Sequence, residues 1–289
     1  MKYGTLYAYW THEWTCDYYE IADKCKKAGF DVMEIGASHL LDMSDAEIAK
    51  LRDYCKDLNL EISCNLGPPK SKDISSKDPA VRAAGVQFLI DILRQMDKIG
   101  SKVLIGAYFN AWPSDFIDVD KEVRWALSVE AMKEVATVAD ELGIDLCLEV
   151  LNRFETPLIN DCAEGIKYCN DVGHKSCKLL LDTFHMNIEE DDLPDAFRRA
   201  GKLLGHVHVG ECNRKLPGMG HNIPWDEIGV ALREIGYDGY VVMEPFMKPG
   251  GAVAADIKVY RDLSDGADEA TMDANIAKSL AFLRSKFEA

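Results

Sequence analysis

Nowhere does this 289-residue sequence run apolar for the roughly 20 residues a membrane span needs, so no transmembrane helix is expected. Its opening stretch, MKYGTLYAYWTHEW, has no charged region followed by an apolar core and a small-residue cleavage site, and the expectation is a cytoplasmic protein. Paired cysteine motifs are missing as well. Nine cysteines, an odd number, are scattered with no CxxC among them. That argues against a disulfide framework or a zinc knuckle and for reduced thiols that fill small apolar gaps. Positive charge is scarce: 33 Lys and Arg stand against 49 acidic residues, a net charge of −16. Such a field repels phosphate backbones and anionic bilayers, so neither nucleic acid nor a membrane surface is an expected partner. A neutral small molecule or a cation meets no such barrier. No linker, repeat array or low-complexity tract divides the chain, and residues 1–289 are expected to form one domain.

What is present is an alternation. Eight short apolar runs, near residues 4–9, 32–36, 61–66, 103–106, 145–149, 178–182, 206–209 and 240–244, are separated by segments with apolar residues at helical spacing. That is the pattern of βα units, and eight of them predict an α/β fold of one closed (β/α)8 TIM barrel. Local signals agree: Ser44 and Glu47 form a capping-box pair ahead of Ile48 and Leu51, and Gly29 and Gly143 stand where helices should close. Residues 125–142 read as a helix that Gly143 ends. The segments after strands are long and polar at 68–79, 110–121, 187–194 and 210–224, whereas those before strands are short. In such barrels the active site lies on the face where the βα loops emerge, at the C-terminal ends of the strands.

Four of the strand ends carry residues of metal-ligand type. Glu149, Asp182, His208 and Glu244 close the runs DLCLE, CKLLLD, GHVHV and YVVME, at intervals of 33, 26 and 36 residues. Any one of them alone reads as a wet rim residue, but a carboxylate ending an apolar strand is costly to bury unless paired, and four on one rim call for a common counter-charge. A set of mostly oxygen ligands with one imidazole suits Mn²⁺ or Mg²⁺ and tolerates Co²⁺. His206 and His208 share strand parity, so either is a candidate ligand, with His208 favoured as the one nearer the rim. His185, three residues after Asp182, is placed to act above the metal either as a ligand or as a supporting group. His12, His39, His174 and His221 are expected to be solvent-facing imidazoles of loops and helix ends.

The segments LEVLNRFE, LDTFHMNIEED, GHVHVGECNR and VVMEPF resemble the ketose 3-epimerase family, the D-tagatose and D-allulose (D-psicose) 3-epimerases. The opening YAYW, the Trp112-Pro113 pair and ADIKVYRD near the C-terminus strengthen the likeness, which runs nearly end to end. The resemblance implies a divalent ion, usually Mn²⁺ or Co²⁺, on Glu149, Asp182, His208 and Glu244. It also implies substrate contacts from Glu155, His185 and Arg214, a hydrophobic pocket that includes Trp14, Trp112 and Phe246, and assembly as a homodimer or homotetramer. Without it Arg214 would be a solvated loop arginine and Trp14 an ordinary aromatic. Leu6, Asn65 and Ile105 depart from the residues usual in the family, so the grip on the far end of the sugar is expected to differ.

The implied reaction inverts C3 of a free ketohexose such as D-fructose, D-allulose, D-tagatose or D-sorbose. It removes the proton beside the C2 carbonyl and returns it on the other face, through a cis-enediolate stabilised by the metal. Glu149 and Glu244, on strands nearly across the barrel, are the expected pair of bases, with His185 and Arg214 holding O1 and O2 and Glu155 fixing O1. Three rivals remain: an aldose-ketose isomerase of the same superfamily, an endonuclease of the same fold, which seven histidines and a charge of −16 argue against, and a non-catalytic sugar-binding protein.

Overall fold

The computed structural model describes residues 1–117 and 119–289. Among the described residues eight strands form a closed barrel in sequence order, every neighbouring pair parallel, with β8 returning to β1. They are β1 Lys2–Leu6, β2 Val32–Gly36, β3 Glu61–Asn65, β4 Val103–Gly106, β5 Asp145–Val150, β6 Cys177–Asp182, β7 Leu204–Val209 and β8 Tyr240–Met243. Their apolar runs follow from burial on both faces, against the surrounding helices outside and against side chains of the other strands inside. Ser44 and Glu47 make the expected capping box at the head of the helix Asp45–Asp57. Gly143 ends the helix Lys121–Leu142 in the left-handed region (φ 64°), where a side chain would be strained. No described helix is long and apolar enough to cross a membrane.

Three expectations need correction. The run at 4–9 is strand only to Leu6, and Tyr7–Tyr9 form a 3-10 turn. All three turn residues are buried, so the sequence shows no break in polarity where the backbone changes. The expected loop at 187–194 is partly helical, because Asp182 accepts a hydrogen bond from Phe184 N at 3.0 Å and starts the helix Thr183–Glu189 directly off β6. The third concerns two of the histidines: His39 is half-buried and hydrogen-bonds through Nδ1 to Tyr18 Oη at 2.8 Å, and His174 is half-buried with Nδ1 3.3 Å from Asp140 Oδ2, so neither simply faces solvent. The expected loop at 110–121 contains Asp118, which lies outside the described residues.

Strand alternation sorts the barrel interior into levels. At the N-terminal end lie the ion pairs Lys2–Glu61 and Lys178–Asp145. Above them Ile105, Cys147 and Leu180 pack into an apolar plug, each fully buried. Two residues further along β5 and β6 come Glu149 and Asp182, at the end where the βα loops emerge. Gly106 ends β4 at φ 118°, and a Cβ there would sit 2.3 Å from the Leu66 carbonyl oxygen, so the close approach of β4 to the turn after β3 depends on glycine.

Candidate active site

Glu149, Asp182, His208 and Glu244 converge at the loop end of the barrel, each offering one ligand atom within 4.8 Å of the others, and all four are buried. Register explains the meeting. Asp182 and His208 are direct partners across β6 and β7, and Glu244, one residue past β8, still donates its N–H to the Val209 carbonyl at 3.1 Å. His208 Nδ1 lies 3.6 Å from Glu149 Oε1 and 3.7 Å from Glu244 Oε2, and it has no hydrogen-bond partner although it is buried. A buried imidazole nitrogen without a hydrogen-bond partner, set beside carboxylates that hold the ring well above the usual imidazole range against the lowering effect of burial, is a place where a divalent cation can replace a proton. The residues present therefore match the metal their types imply.

His206, the other candidate, points to the level below. Its Nε2 lies 3.3 Å from Glu34 Oε2, while Glu34 Oε1 is 2.9 Å from His208 Nε2. Burial alone would raise the Glu34 carboxyl, but His208 and His206 hold it well below the usual carboxylate range. Glu34 escaped notice in the sequence because it sits inside β2, two residues short of the strand end. A carboxylate within an otherwise apolar strand was nevertheless the signal that marked the others.

Arg214 is the buried cation of the site. It sits at φ 66°, directs Nη1 to Glu244 Oε2 at 2.8 Å and Asp182 Oδ2 at 3.0 Å, and its guanidinium lies 3.7 Å from the centre of the Phe184 ring. His185 is equally enclosed. Its Nδ1 accepts from Asn152 Nδ2 at 2.8 Å and from Asn152 N at 3.2 Å, which leaves Nε2 to carry the proton, 3.6 Å from both Glu149 Oε1 and Asp182 Oδ2, and makes the 3.4 Å approach of Arg214 Nη2 to Nε2 a contact between two donors and not a hydrogen bond. Burial pushes the His185 ring down to about 3, so it stays neutral. Burial also raises Glu149, to about 8, with the charges of Glu244 and Asp182 adding to the effect and His208 opposing it.

The mouth is built from loops. Trp14 packs edge-on against Trp112 at 6.2 Å and against Phe246 at 6.3 Å, with Trp14 Nε1 donating to Asp256 Oδ2 at 2.8 Å and Trp112 Nε1 to Glu155 Oε2 at 3.0 Å. Together they enclose a cavity of about 320 Å³ lined by Leu6, Glu149, Glu155, His185, Glu244 and Phe246 among others. Its wall also includes Trp14, Trp112, Arg214, Asn65 and the unexpected His39 and Asp256. Asp182 and His208 are not part of the wall; they lie beneath it. Ile105 belongs to the plug and supports the pocket from below.

Comparison with known proteins agrees with this geometry. The family model described as "Xylose isomerase-like TIM barrel" matches residues 22–284. D-psicose 3-epimerase of Agrobacterium fabrum is 49% identical over 285 residues, covering 98% of each chain. A crystal structure of D-psicose 3-epimerase in the presence of D-fructose superposes with a TM-score of 0.98 at 48% identity over the whole of both chains. The D-psicose 3-epimerase of Clostridium cellulolyticum H10 with D-tagatose gives 0.98 at 46%, again over both full chains. With relatives of that identity spanning the entire length, the chain belongs to the xylose isomerase-like TIM barrel family and, within it, to the ketose 3-epimerases.

Proposed function

We propose that this enzyme inverts C3 of free ketohexoses, interconverting D-fructose with D-allulose and D-tagatose with D-sorbose, by removing and returning a proton with Glu149 and Glu244. One observation carries the reading. The two glutamates end strands separated by β6 and β7, both line the same cavity, and both approach one imidazole, His208, so a sugar carbon between them is flanked on two faces. Glu149, Asp182, His208 and Glu244 hold the divalent ion, with Mn²⁺ first and Co²⁺ or Mg²⁺ as substitutes. When bound, that ion polarises the substrate carbonyl, a contribution on the order of several kcal/mol.

The protein's own groups do the rest. One carboxylate takes the C3 proton and the other delivers a proton to the opposite face of the enediolate. Arg214 and the Nε2–H of His185 donate to O1 and O2 as negative charge grows there, and Glu155, held by Trp112 Nε1 and Asn152 Nδ2, accepts from the O1 hydroxyl. Trp14, Trp112 and Phe246 press on the apolar face of the sugar and exclude water, and Leu6 and Asn65 meet its far end. The whole chain, 1–289, acts as one domain. Exposed Phe116, Ile117 and Phe154 support assembly into a homodimer or homotetramer, and nine unbridged cysteines support a reducing, cytoplasmic setting.

The test is incubation of D-fructose, D-allulose, D-tagatose and D-sorbose in D₂O with Mn²⁺, with and without a chelator. Deuterium should enter at C3, with the C3 epimer as product, and only while metal is present. Aldose products would reassign the enzyme as an aldose-ketose isomerase, and the absence of metal-dependent exchange at C3 for every ketose would sink the proposal.

A further inference from the structure

We propose that Glu34 is a positioning residue for the metal site. Its carboxylate accepts the Nε2 proton of His208 and thereby fixes the imidazole with its Nδ1 lone pair turned into the Glu149–Asp182–Glu244 cluster. The inference rests on the metal-dependent reading above and adds a residue to it.

A neutral imidazole carries its proton on either nitrogen, and only the unprotonated one binds a metal. His208 has no freedom in that choice. Its Nε2 is 2.9 Å from Glu34 Oε1, with both residues fully buried, while its Nδ1 has no partner within the protein and faces the cluster. A carboxylate accepts and cannot donate, so the proton stays on Nε2 and Nδ1 is left as the ligand atom.

Glu34 is itself fixed. Ser63, its direct partner across β2 and β3, donates Oγ–H to Glu34 Oε2 at 2.9 Å, and His206 Nε2 lies 3.3 Å from the same oxygen. Both oxygens are therefore occupied, which is how a carboxylate inside a barrel is tolerated. The charge also makes the ring a stronger electron-pair donor, an effect a neutral acceptor at the same place lacks.

Glu34, His206 and His208 bring ligand atoms within 4.8 Å and so have the makings of a second ion site. One observation favours the anchor instead: the His208 nitrogen that would serve such an ion already shares its proton with Glu34.

The test measures Mn²⁺ binding by calorimetry and by electron paramagnetic resonance of free Mn²⁺, on the full chain and on Glu34→Gln and Ser63→Ala. Wild type should bind one Mn²⁺ per subunit. Glu34→Gln, which keeps the volume but removes the charge, should bind about 10- to 100-fold more weakly, and Ser63→Ala about three- to fivefold more weakly. Because the chain has only seven histidines, ¹⁵N-histidine spectra of the Mg²⁺-loaded protein can read the tautomer directly. The expected signature is a His208 ring protonated on Nε2, which a purely structural role for Glu34 would not require.

A Glu34→Gln affinity within twofold of wild type, or a wild-type His208 protonated on Nδ1, overturns the proposal. So does a second Mn²⁺ per subunit that Glu34→Gln abolishes, since the buried cluster would then be an ion site in its own right. Should Glu34→Gln fail to fold, Ser63→Ala decides: weaker binding at an unchanged melting temperature supports the anchor, and unchanged affinity refutes it. Failure of wild type itself to bind any divalent ion removes the metal-dependent reading as well, which separates the two failures.

Discussion

Arg214 and Glu244 are joined at 2.8 Å through Nη1 and Oε2, whereas Glu149 faces two imidazoles, His185 and His208, each at 3.6 Å. Two carboxylates that are to exchange roles as acid and base thus stand in unlike surroundings, which is how acid/base pairs are set apart. Glu149→Gln and Glu244→Gln should each lower kcat for C3 exchange by about 10²- to 10⁴-fold. Glu244→Gln should in addition raise KM, because it releases the guanidinium that is to hold O1 and O2. Steady-state kinetics with single-turnover deuterium exchange would separate the two effects, and near-normal turnover in either variant with metal bound would end the two-base scheme.

Metal affinity should depend on pH with a definite sign. Glu149 in the metal-free protein is raised to about 8, chiefly by burial, so below that pH a proton occupies a ligand and must leave when the ion binds. His208, another ligand, is protonated as well, because against burial, which lowers it, Glu34 and Glu244 hold its ring well above the usual imidazole range, so Mn²⁺ affinity should rise by about tenfold or more per pH unit from pH 6 toward pH 8. Titration calorimetry in buffers of different ionisation enthalpy should detect more than one proton released per ion at pH 6.5, from Glu149 and His208 together. An affinity independent of pH between 6 and 8 would contradict the assignment of Glu149 as a ligand.

Asn152 holds His185 with its backbone and its side chain together, and the orientation of its amide is set by Phe154 N donating to Oδ1 at 2.9 Å and by Nδ2 donating to Glu155 Oε1 at 3.1 Å. Asn152→Ala keeps the backbone donor and removes the other, so kcat/KM should fall about tenfold, the scale of one buried hydrogen bond. The pH profile should keep its shape, since burial rather than Asn152 keeps His185 neutral. A new limb in that profile near pH 6 would show instead that the amide governs the charge of the ring.

The barrel and its four rim residues were legible because both are periodic. The helix-length intervals between Glu149, Asp182, His208 and Glu244 survive any small error in strand boundaries. Tyr7–Tyr9 were not legible as a turn, because buried aromatics look alike in a strand and in a 3-10 segment. Arg214 was not legible as a buried cation from its neighbours in the chain, for its partners Asp182, Glu244 and Phe184 come from other strand ends. Only the likeness to a family drew it in. Glu34 was legible in principle, as a charge in the middle of VMEIG, but it stands inside β2 and not at a strand end, where the other ligand-type residues lie.

Leu6 offers the test of sugar preference. It lines the cavity at the end of β1. Leu6→Tyr narrows that end of the pocket and adds a hydroxyl, and it should change the ratio of kcat/KM values among the four ketohexoses by about tenfold or more. The Mn²⁺ dissociation constant should stay as in wild type, because Leu6 lines the cavity and is not among the four ligand-type residues. A uniform loss across all four sugars would mean that the position supports packing and does not discriminate.

Ile105, Cys147 and Leu180 pack beneath the ligand layer, and the aromatic mouth of Trp14, Trp112 and Phe246 stands at the other end of the chamber. If substrate and product, which differ only in the handedness of one carbon, both enter and leave by this mouth, they pass it in opposite directions. Traffic through that doorway is then common to the forward and reverse journeys. Altering the aromatic threshold should speed or slow both alike, and the final mixture of sugars will be the one their own energies dictate.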